Sequence, residues 1–438
     1  MRALIAGLER YFEFAGLGTN WKTEFLAGLT TFMTMAYIVF VNPSILHEAG
    51  MPAAAVTAAT CLAAAVGSLL MGAYARYPIA LAPGMGLNAY FTYSVVKGMG
   101  IDWRVALGAV FLSGLAFLLL TALGVRQMIV GAIPAELYSA VAAGVGLFIA
   151  VIGFRNAGIV VANPATLVGL GDLRSPQTLL ALFGLLLTGA LLCARVHAAI
   201  LIGVVGTWLL AAVTGTIHWQ PQPYSVRDIL ATAGELDIRG ALRIGLVEIV
   251  FAFLFVDLFD NVGTLLAVGK KAGLFKRAHD VPRLNRILYS DAMATLAGAA
   301  AGTSTVVSYI ESSAGVAAGG RSGVTAIVTG LLFTVALFVA PLAGAIPLAA
   351  TAPALIIVGS MMMTTVTEIA WTDPEIAIPS FLTMLAIPLT FSIANGLAFG
   401  FCAYTLLKLI RGRFRDVSWM VYLLTVLFMV RFWYLGKG

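Results

Sequence analysis

Residues 80–91 read Ala80-Leu81-Ala82-Pro83-Gly84-Met85-Gly86-Leu87-Asn88-Ala89-Tyr90-Phe91. Residues 302–315 read Gly302-Thr303-Ser304-Thr305-Val306-Val307-Ser308-Tyr309-Ile310-Glu311-Ser312-Ser313-Ala314-Gly315. Both stretches lie in apolar surroundings, and neither reads as an unbroken helix. Pro83, Gly84 and Gly86 interrupt the first. Proline removes a backbone donor and glycine weakens a helix interior. The second is small and β-branched, then restarts as a helix near Glu311. Irregular backbone at membrane depth survives only where it is buried in protein or lines a cavity. Two such breaks mark the middle of a membrane protein that holds a polar site.

Composition agrees. The chain has 438 residues, 61% hydrophobic and 11% charged, with a mean hydropathy of +0.98. Soluble domains carry about 25% charged residues, so 26 basic and 20 acidic side chains could not cover a soluble surface of this size. That excludes a cytosolic enzyme, a disordered chain and a secreted disulfide scaffold. Cys61, Cys193 and Cys402 lie far apart in apolar segments, without metal or redox spacing. The first 21 residues contain Glu9 and Glu13 and lack a long apolar core. They do not read as a cleaved signal peptide, and the first span is expected to insert as a signal anchor. The net charge of +6 sits in short loops, where it reports topology rather than nucleic-acid binding. No zincin motif, nucleotide loop or serine nucleophile elbow is present, so no metal, cofactor or enzyme activity is expected.

Outward from the two breaks, apolar segments cover 23–43, 52–73, 79–97, 104–123, 134–154, 177–194, 197–216, 242–268, 285–300, 303–318, 323–342, 346–366, 377–392 and 394–410. At about 20 residues per span, they predict an all-α polytopic membrane protein of roughly 14 transmembrane segments. The longest polar connection, 217–241, carries His218, Gln220, Gln222, Asp228, Glu235 and Asp237 and divides the segments seven and seven. Ile133-Pro134 and Ile346-Pro347 open corresponding segments in the two halves, and the two breaks also correspond. Seven is odd, so the halves enter from opposite sides: an inverted repeat. Paired interrupted segments point to a transporter's binding site.

Lys270, Lys271, Lys276, Arg277, Arg283 and Arg286 form the largest basic cluster. With Arg2, Arg10, Lys22, Arg76, Arg126, Arg195, Arg321, Lys408, Arg411, Arg413 and Arg415 they place both termini in the cytoplasm by the positive-inside rule. Lys97, Arg104, Arg155, Arg174 and Arg227 fall on the opposite side. Residues 417–435, rich in aromatics and carrying Arg431, read as an interfacial helix; a fifteenth span is the alternative.

Glu311 is the strongest single signal. A carboxylate in a membrane segment is costly and is a functional site by default. When ionised it accepts two N–H donors side by side, which suits a planar heterocycle presenting two adjacent N–H groups. Backbone N–H groups at Gly86–Asn88 and Ser312–Ser313, at the restarting helices, are candidates for the ligand's acceptors. Asn88 adds an amide that donates and accepts; its alternative is a packing kink, bonded to a neighbouring helix. In the eighth segment, Asp257 and Asp260 are spaced i, i+3 on one helical face. Two buried carboxylates this close resist being ionised together, which is chemistry a proton-coupled carrier uses. Their alternative is helix capping or an interfacial position. Phe259 is among the phenylalanines that could stack on a flat ligand. Asn42 and Pro43 occupy the comparable place in the first segment. Glu136 and Glu248 fall near helix ends, Asp291 suits an interhelical polar contact, and His197 lies beside a loop.

At these same places the chain resembles the AzgA-like purine permeases of the nucleobase cation symporter-2 superfamily. The resemblance rests on Ala82-Pro83-Gly84-Met85-Gly86-Leu87-Asn88-Ala89-Tyr90-Phe91, Asp257-Leu258-Phe259-Asp260 with Gly263-Thr264-Leu265, and Gly302-Thr303-Ser304-Thr305 with Tyr309-Ile310-Glu311-Ser312. Met35-Ala36-Tyr37-Ile38-Val39-Phe40-Val41-Asn42-Pro43, Ala318-Gly319-Gly320-Arg321-Ser322-Gly323 and Pro388-Leu389-Thr390 through Asn395-Gly396 add to it. It runs from about residue 10 to 410. Ser322 stands where many relatives have threonine, and the tail after 411 matches no motif.

The resemblance implies 14 helices in a seven-plus-seven inverted repeat, with a short strand and a half-helix in segments three and ten. It implies a core domain (23–123 and 242–342) and a gate domain (134–216 and 346–410), flanked by a cytoplasmic N-terminus (1–22) and a cytoplasmic or interfacial tail (411–438). The implied activity is proton-driven uptake of adenine, guanine or hypoxanthine across the cytoplasmic membrane. Glu311, Asp257, Asn88, Gly86, Ser312 and Phe259 are then candidate substrate-binding residues. Asp260, Asp257 and Glu311 are candidate proton-coupling residues. The expected partners are the purine, the proton and the lipid bilayer; gate helices of such folds can form a homodimer, but nothing here demands one. A uracil or xanthine carrier, or a small-anion carrier of the same fold, is the rival reading.

Overall fold

The computed structural model describes residues 2–125, 128, 133–216, 227, 230–243, 246–274, 281–339 and 346–435. Among the residues named above, Arg126, His218, Gln220, Gln222, Asp228, Lys276 and Arg277 lie outside that set. So do the side chains of Arg2, Glu248, Lys270, Lys271 and Arg431.

Helices dominate, and their starts are written in the sequence. Asn20 accepts from Thr23 N at 3.0 Å to open Trp21–Met35. Asp102 accepts from Arg104 N at 2.8 Å before Trp103–Ala122. Ser175 and Asp373 cap helices whose first residue is proline, Pro176–Cys193 and Pro374–Thr390. Such caps satisfy N–H groups that have no intrahelical acceptor, and proline is pre-shaped for the first turn. Seven helices among the described residues are long and apolar enough to cross a membrane: Trp21–His47, Ala53–Ala75, Trp103–Ala122, Glu136–Asn156, Pro176–Cys193, Leu348–Glu368 and Ile393–Ile410.

Two groups of helices pack side by side. In one, Ala53–Leu70 lies against Leu284–Ala301 and Gly323–Ala336, and Gly323–Ala336 also packs on Trp21–Met35. In the other, Ala135–Asn156 packs on Leu348–Met362 and Pro374–Thr390, and Pro176–Cys193 on Ala199–Val213. Small residues permit the closest approaches. A Cβ on Gly323 would stand 2.0 Å from the Gly72 carbonyl oxygen, and one on Gly359 would stand 2.4 Å from that of Gly146.

The two sequence breaks meet. Strand β1 (Leu81–Pro83) pairs antiparallel with β4 (Val306–Ser308), in the register Leu81 to Ser308 and Pro83 to Val306. The pairing uses backbone groups that the interrupted helices leave open. Helices Met85–Ala89 and Ser312–Ala317 follow the strands directly. A second two-stranded sheet, the hairpin of β2 (Val160–Asn163) with β3 (Leu167–Leu170), was not expected. It lies exposed in what the sequence offered as a plain connection. Asn163 Oδ1 accepts from Ala165 N at 2.9 Å and makes the turn.

The C-terminal helix Trp419–Leu435 packs on Ile393–Ile410. Phe428 is fully buried and meets the rings of Phe251 and Phe401 at 5.3 and 5.8 Å. Its tie to the bundle is therefore more than surface contact.

Candidate functional site

A cavity of about 170 Å³ lies between the two helix groups. One wall comes from the strand–helix breaks and their neighbours: Tyr37, Gly84–Gly86, Asp260, Thr264 and Val307–Glu311. The facing wall comes from Tyr138, Ser139, Ala142, Val145 and Ile149 on one helix and Val358, Met361, Met362, Thr365 and Glu368 on another.

Glu311 sits just past β4, where the chain turns into Ser312–Ala317, and its carboxylate is buried in the cavity wall. Tyr37, itself fully buried, donates its hydroxyl to Glu311 Oε1 at 2.7 Å. No lysine or arginine forms an ion pair with Glu311 among the described residues. Arg321 instead donates to the Val316 and Gly320 carbonyls, at 2.6 and 2.8 Å. Tyr309 donates its hydroxyl to the Pro83 carbonyl and ties the two breaks together. Ser308 Oγ faces the same cavity, buried and without a hydrogen-bond partner among the described residues.

Asp260 lines the cavity, whereas Asp257 is fully buried and not part of its wall. Asn261 donates to Asp257 Oδ1 at 2.7 Å and also to Asp291, while its own carbonyl accepts from Ser308 N at 2.8 Å. Asp257 and Asp291 thus brace β4 from behind through one amide.

Asn88 is not in the cavity wall either. Its amide donates to Asn42, and its carbonyl accepts from Ser304. Asn42 in turn donates to Thr60 Oγ1 at 2.7 Å and to Thr303 Oγ1 at 3.0 Å. This fully buried polar cluster staples the first and third segments to the tenth. In this structure the Asn88 amide is spent within that cluster. Ser312 is likewise occupied: its hydroxyl accepts from Ala80 N at 3.0 Å. The backbone N–H groups of Ser312 and Ser313 bond to Tyr309 and Ile310 carbonyls, at 3.1 and 2.9 Å. Phe259 lies behind the cavity and supports the Tyr138 ring at 4.8 Å. Gly86 does line it, and a Cβ there would meet Val145 Cγ1 at 2.4 Å.

The facing wall was not legible from the sequence. Ser139 donates to Glu368 Oε2 at 2.8 Å, and Thr365 donates to the Ser139 carbonyl at 3.0 Å. Glu368 lies two residues past the end of the expected twelfth segment, which hid it. Glu136 begins the Ala135–Asn156 helix, and His197 is exposed beside a turn. No cluster of potential metal ligands occurs among the described residues.

The pattern of the Permease family matches residues 22–399. The chain belongs to this permease family. The permease is 53% identical to the MJ0326 permease of Methanocaldococcus jannaschii, across 98% of this chain and 99% of that one. It is 45% identical to the guanine/hypoxanthine permease PbuG of Bacillus subtilis, covering 98% and 100%. It is 44% identical to the adenine permease AdeP of Escherichia coli, covering 97% and 95%. In fold, the permease is similar to the transmembrane domain of a cyanobacterium bicarbonate transporter, BicA. That likeness has a TM-score of 0.66 at 14% identity, covering 87% of this chain and 97% of that one. The relatives are transporters rather than enzymes, and the permease is a multi-pass membrane protein.

Proposed function

We propose that this permease imports a purine nucleobase across the cytoplasmic membrane, coupled to protons. The observation that carries the reading is the charge of the cavity. Asp260, Glu311 and Glu368 line it, and no lysine, arginine or histidine does among the described residues. Carboxylates present acceptors to N–H groups and repel anions. This favours a neutral, N–H-rich heterocycle over a small anion. The named activities of the relatives favour a purine over a pyrimidine.

In this mechanism Glu311 grips the base through two N–H groups, and Tyr37 fixes the carboxylate's orientation. Tyr138, backed by Phe259, offers an aromatic face. Gly86 keeps the backbone close to the ligand and to Val145. Asp260 takes the coupling proton at the cavity wall. Asp257 acts through Asn261 as a positioning residue for β4, and Asn88 and Ser312 hold the crossed breaks rigid. Fourteen segments in an inverted repeat fit the antiparallel pairing of one break from each half. The helices of 23–123 and 242–342 would then move against those of 134–216 and 346–410, with both termini in the cytoplasm.

The test is uptake of radiolabelled adenine and hypoxanthine into proteoliposomes, with and without an inward proton gradient. Gradient-stimulated uptake, competed by purines and not by uracil, is expected. Glu311→Gln is expected to abolish it. Unchanged affinity and pH dependence in Glu311→Gln would overturn the assignment.

A further inference from the structure

A second cavity, of about 600 Å³, opens beside the N-terminal helices and shares no residue with the first. Arg76, Arg283 and Arg321 line it, together with Glu13 and Tyr77. Among the described residues, three guanidinium groups face one carboxylate and leave the lining positive.

Glu13 divides its oxygens between two of the arginines. Arg76 Nη1 lies 3.2 Å from Oε1, and Arg283 Nη2 lies 3.1 Å from Oε2. That clamp leaves donors over. Arg76 Nε and Arg283 Nη1 are shielded from solvent and find no acceptor among the described residues. A buried charged donor without an acceptor is costly, so either guanidinium gains by turning toward an acceptor that enters the cavity.

The guanidinium groups are also held in place beforehand. Arg76 lies over the Tyr11 ring at 5.1 Å and donates to the Tyr11 carbonyl at 2.8 Å. Arg283 lies over the Tyr77 ring at 5.8 Å, and Tyr77 donates to the Pro282 carbonyl at 2.7 Å. Glu13, Arg76 and Arg283 each adopt a left-handed backbone, with φ of 58°, 61° and 58°. Non-glycine residues rarely do so, and such strain collects at functional sites. A simple clamp between the N-terminal helix and the bundle would account for the two ion pairs. It does not account for the unfilled donors.

We propose that this cavity binds a phosphate dianion, carried by a free phosphate, a phosphomonoester or a lipid headgroup. Guanidinium forks match phosphate oxygens in geometry and charge. The surplus positive charge of the described lining matches an anion, and a small turn of Arg76 or Arg283 toward it would give the unfilled donor an acceptor.

The test is a melting titration of the purified full-length protein in phosphatidylcholine nanodiscs. Inorganic phosphate and adenosine 5′-monophosphate are the soluble probes, with chloride at matched ionic strength as control. A separate arm replaces part of the phosphatidylcholine with phosphatidic acid. A saturable upward shift with the soluble probes assigns a free phosphate site. A shift only with phosphatidic acid assigns a headgroup site.

In either case Arg283→Gln is expected to weaken binding about tenfold or more. Arg321→Gln leaves the Glu13 clamp intact and is expected to weaken binding as well. Glu13→Gln, which removes the competing carboxylate, is expected to tighten it. Three results each overturn the proposal: no saturable shift with any probe on folded protein, a shift that chloride reproduces, or a shift unchanged in both arginine variants.

Discussion

Replacing Tyr37 by phenylalanine removes one oxygen and little else. The ring is fully buried, so its packing is retained. What is lost is the 2.7 Å hydrogen bond to Glu311 Oε1. A hydrogen bond to a charged group contributes about 1.5–3 kcal/mol. At about 1.4 kcal/mol per tenfold, Tyr37→Phe should weaken purine binding about tenfold to a hundredfold, if the hydroxyl's role is to aim the carboxylate. A double-mutant cycle tests this directly. Glu311→Gln alone removes the paired acceptor, so adding Tyr37→Phe should cost less than about a further twofold, because contacting residues are non-additive. The assay is equilibrium binding of radiolabelled adenine and hypoxanthine, with uptake run in parallel. Tyr37→Phe within twofold of the unaltered protein, beside a damaged Glu311→Gln, would refute the aiming role. Strict additivity would refute it too.

Three further outcomes follow from the same geometry. Gly86→Ala should reduce uptake strongly, because its Cβ would stand 2.4 Å from Val145 Cγ1; Val145→Ala in the same chain should restore much of it. Asp260→Asn should abolish stimulation by a proton gradient while base binding persists, whereas Asp257→Asn should keep the stimulation and lower the melting midpoint; uptake with and without the gradient separates them. Glu24→Ala should destabilise the protein by about 3 kcal/mol, read by denaturant or thermal melting. Its fully buried carboxylate accepts from Arg321 N, Ser322 N and Thr325 N at 3.0, 3.1 and 3.2 Å, at the start of Gly323–Ala336.

The breaks were readable because their chemistry is local. Pro83 and Gly84 keep one apolar segment from running on as a single helix, and Val306-Val307 favour a strand in the other; no knowledge of the partner is needed. Glu311 stood out because an intramembrane carboxylate is rare. Asn88 and Ser312 were harder. Sequence reveals that a polar group is present, but not that Asn42, Ser304 and Ala80 N already occupy it. Tyr37 and Glu368 became site residues only through contacts across the fold. Tyr37 is 274 residues from Glu311 in sequence, and Ser139 is 229 from Glu368. The spacing of Asp257 and Asp260 suggested one shared face, yet one aspartate reaches the cavity and the other is taken up by Asn261. A difference of three residues rotates a side chain by most of a turn but not all of it, and that remainder separates their positions.

The fold alone does not choose the cargo. A crossing of two strands and two short helices supplies a cavity at the middle of the bundle, and the chain shares its overall fold with a transporter to which it is 14% identical. Cargo class is then set by side chains placed on that frame. Here the central cavity carries Asp260, Glu311 and Glu368, while the cavity beside the N-terminal helices carries Arg76, Arg283 and Arg321. An anion drawn to the second would be repelled by the first. The contrast argues that phosphate at the arginine site stays bound beside the transport path instead of travelling along it. In the proposed reading a neutral base would meet no such repulsion and would gain acceptors in the central cavity, so the charge separation would keep the two ligands apart.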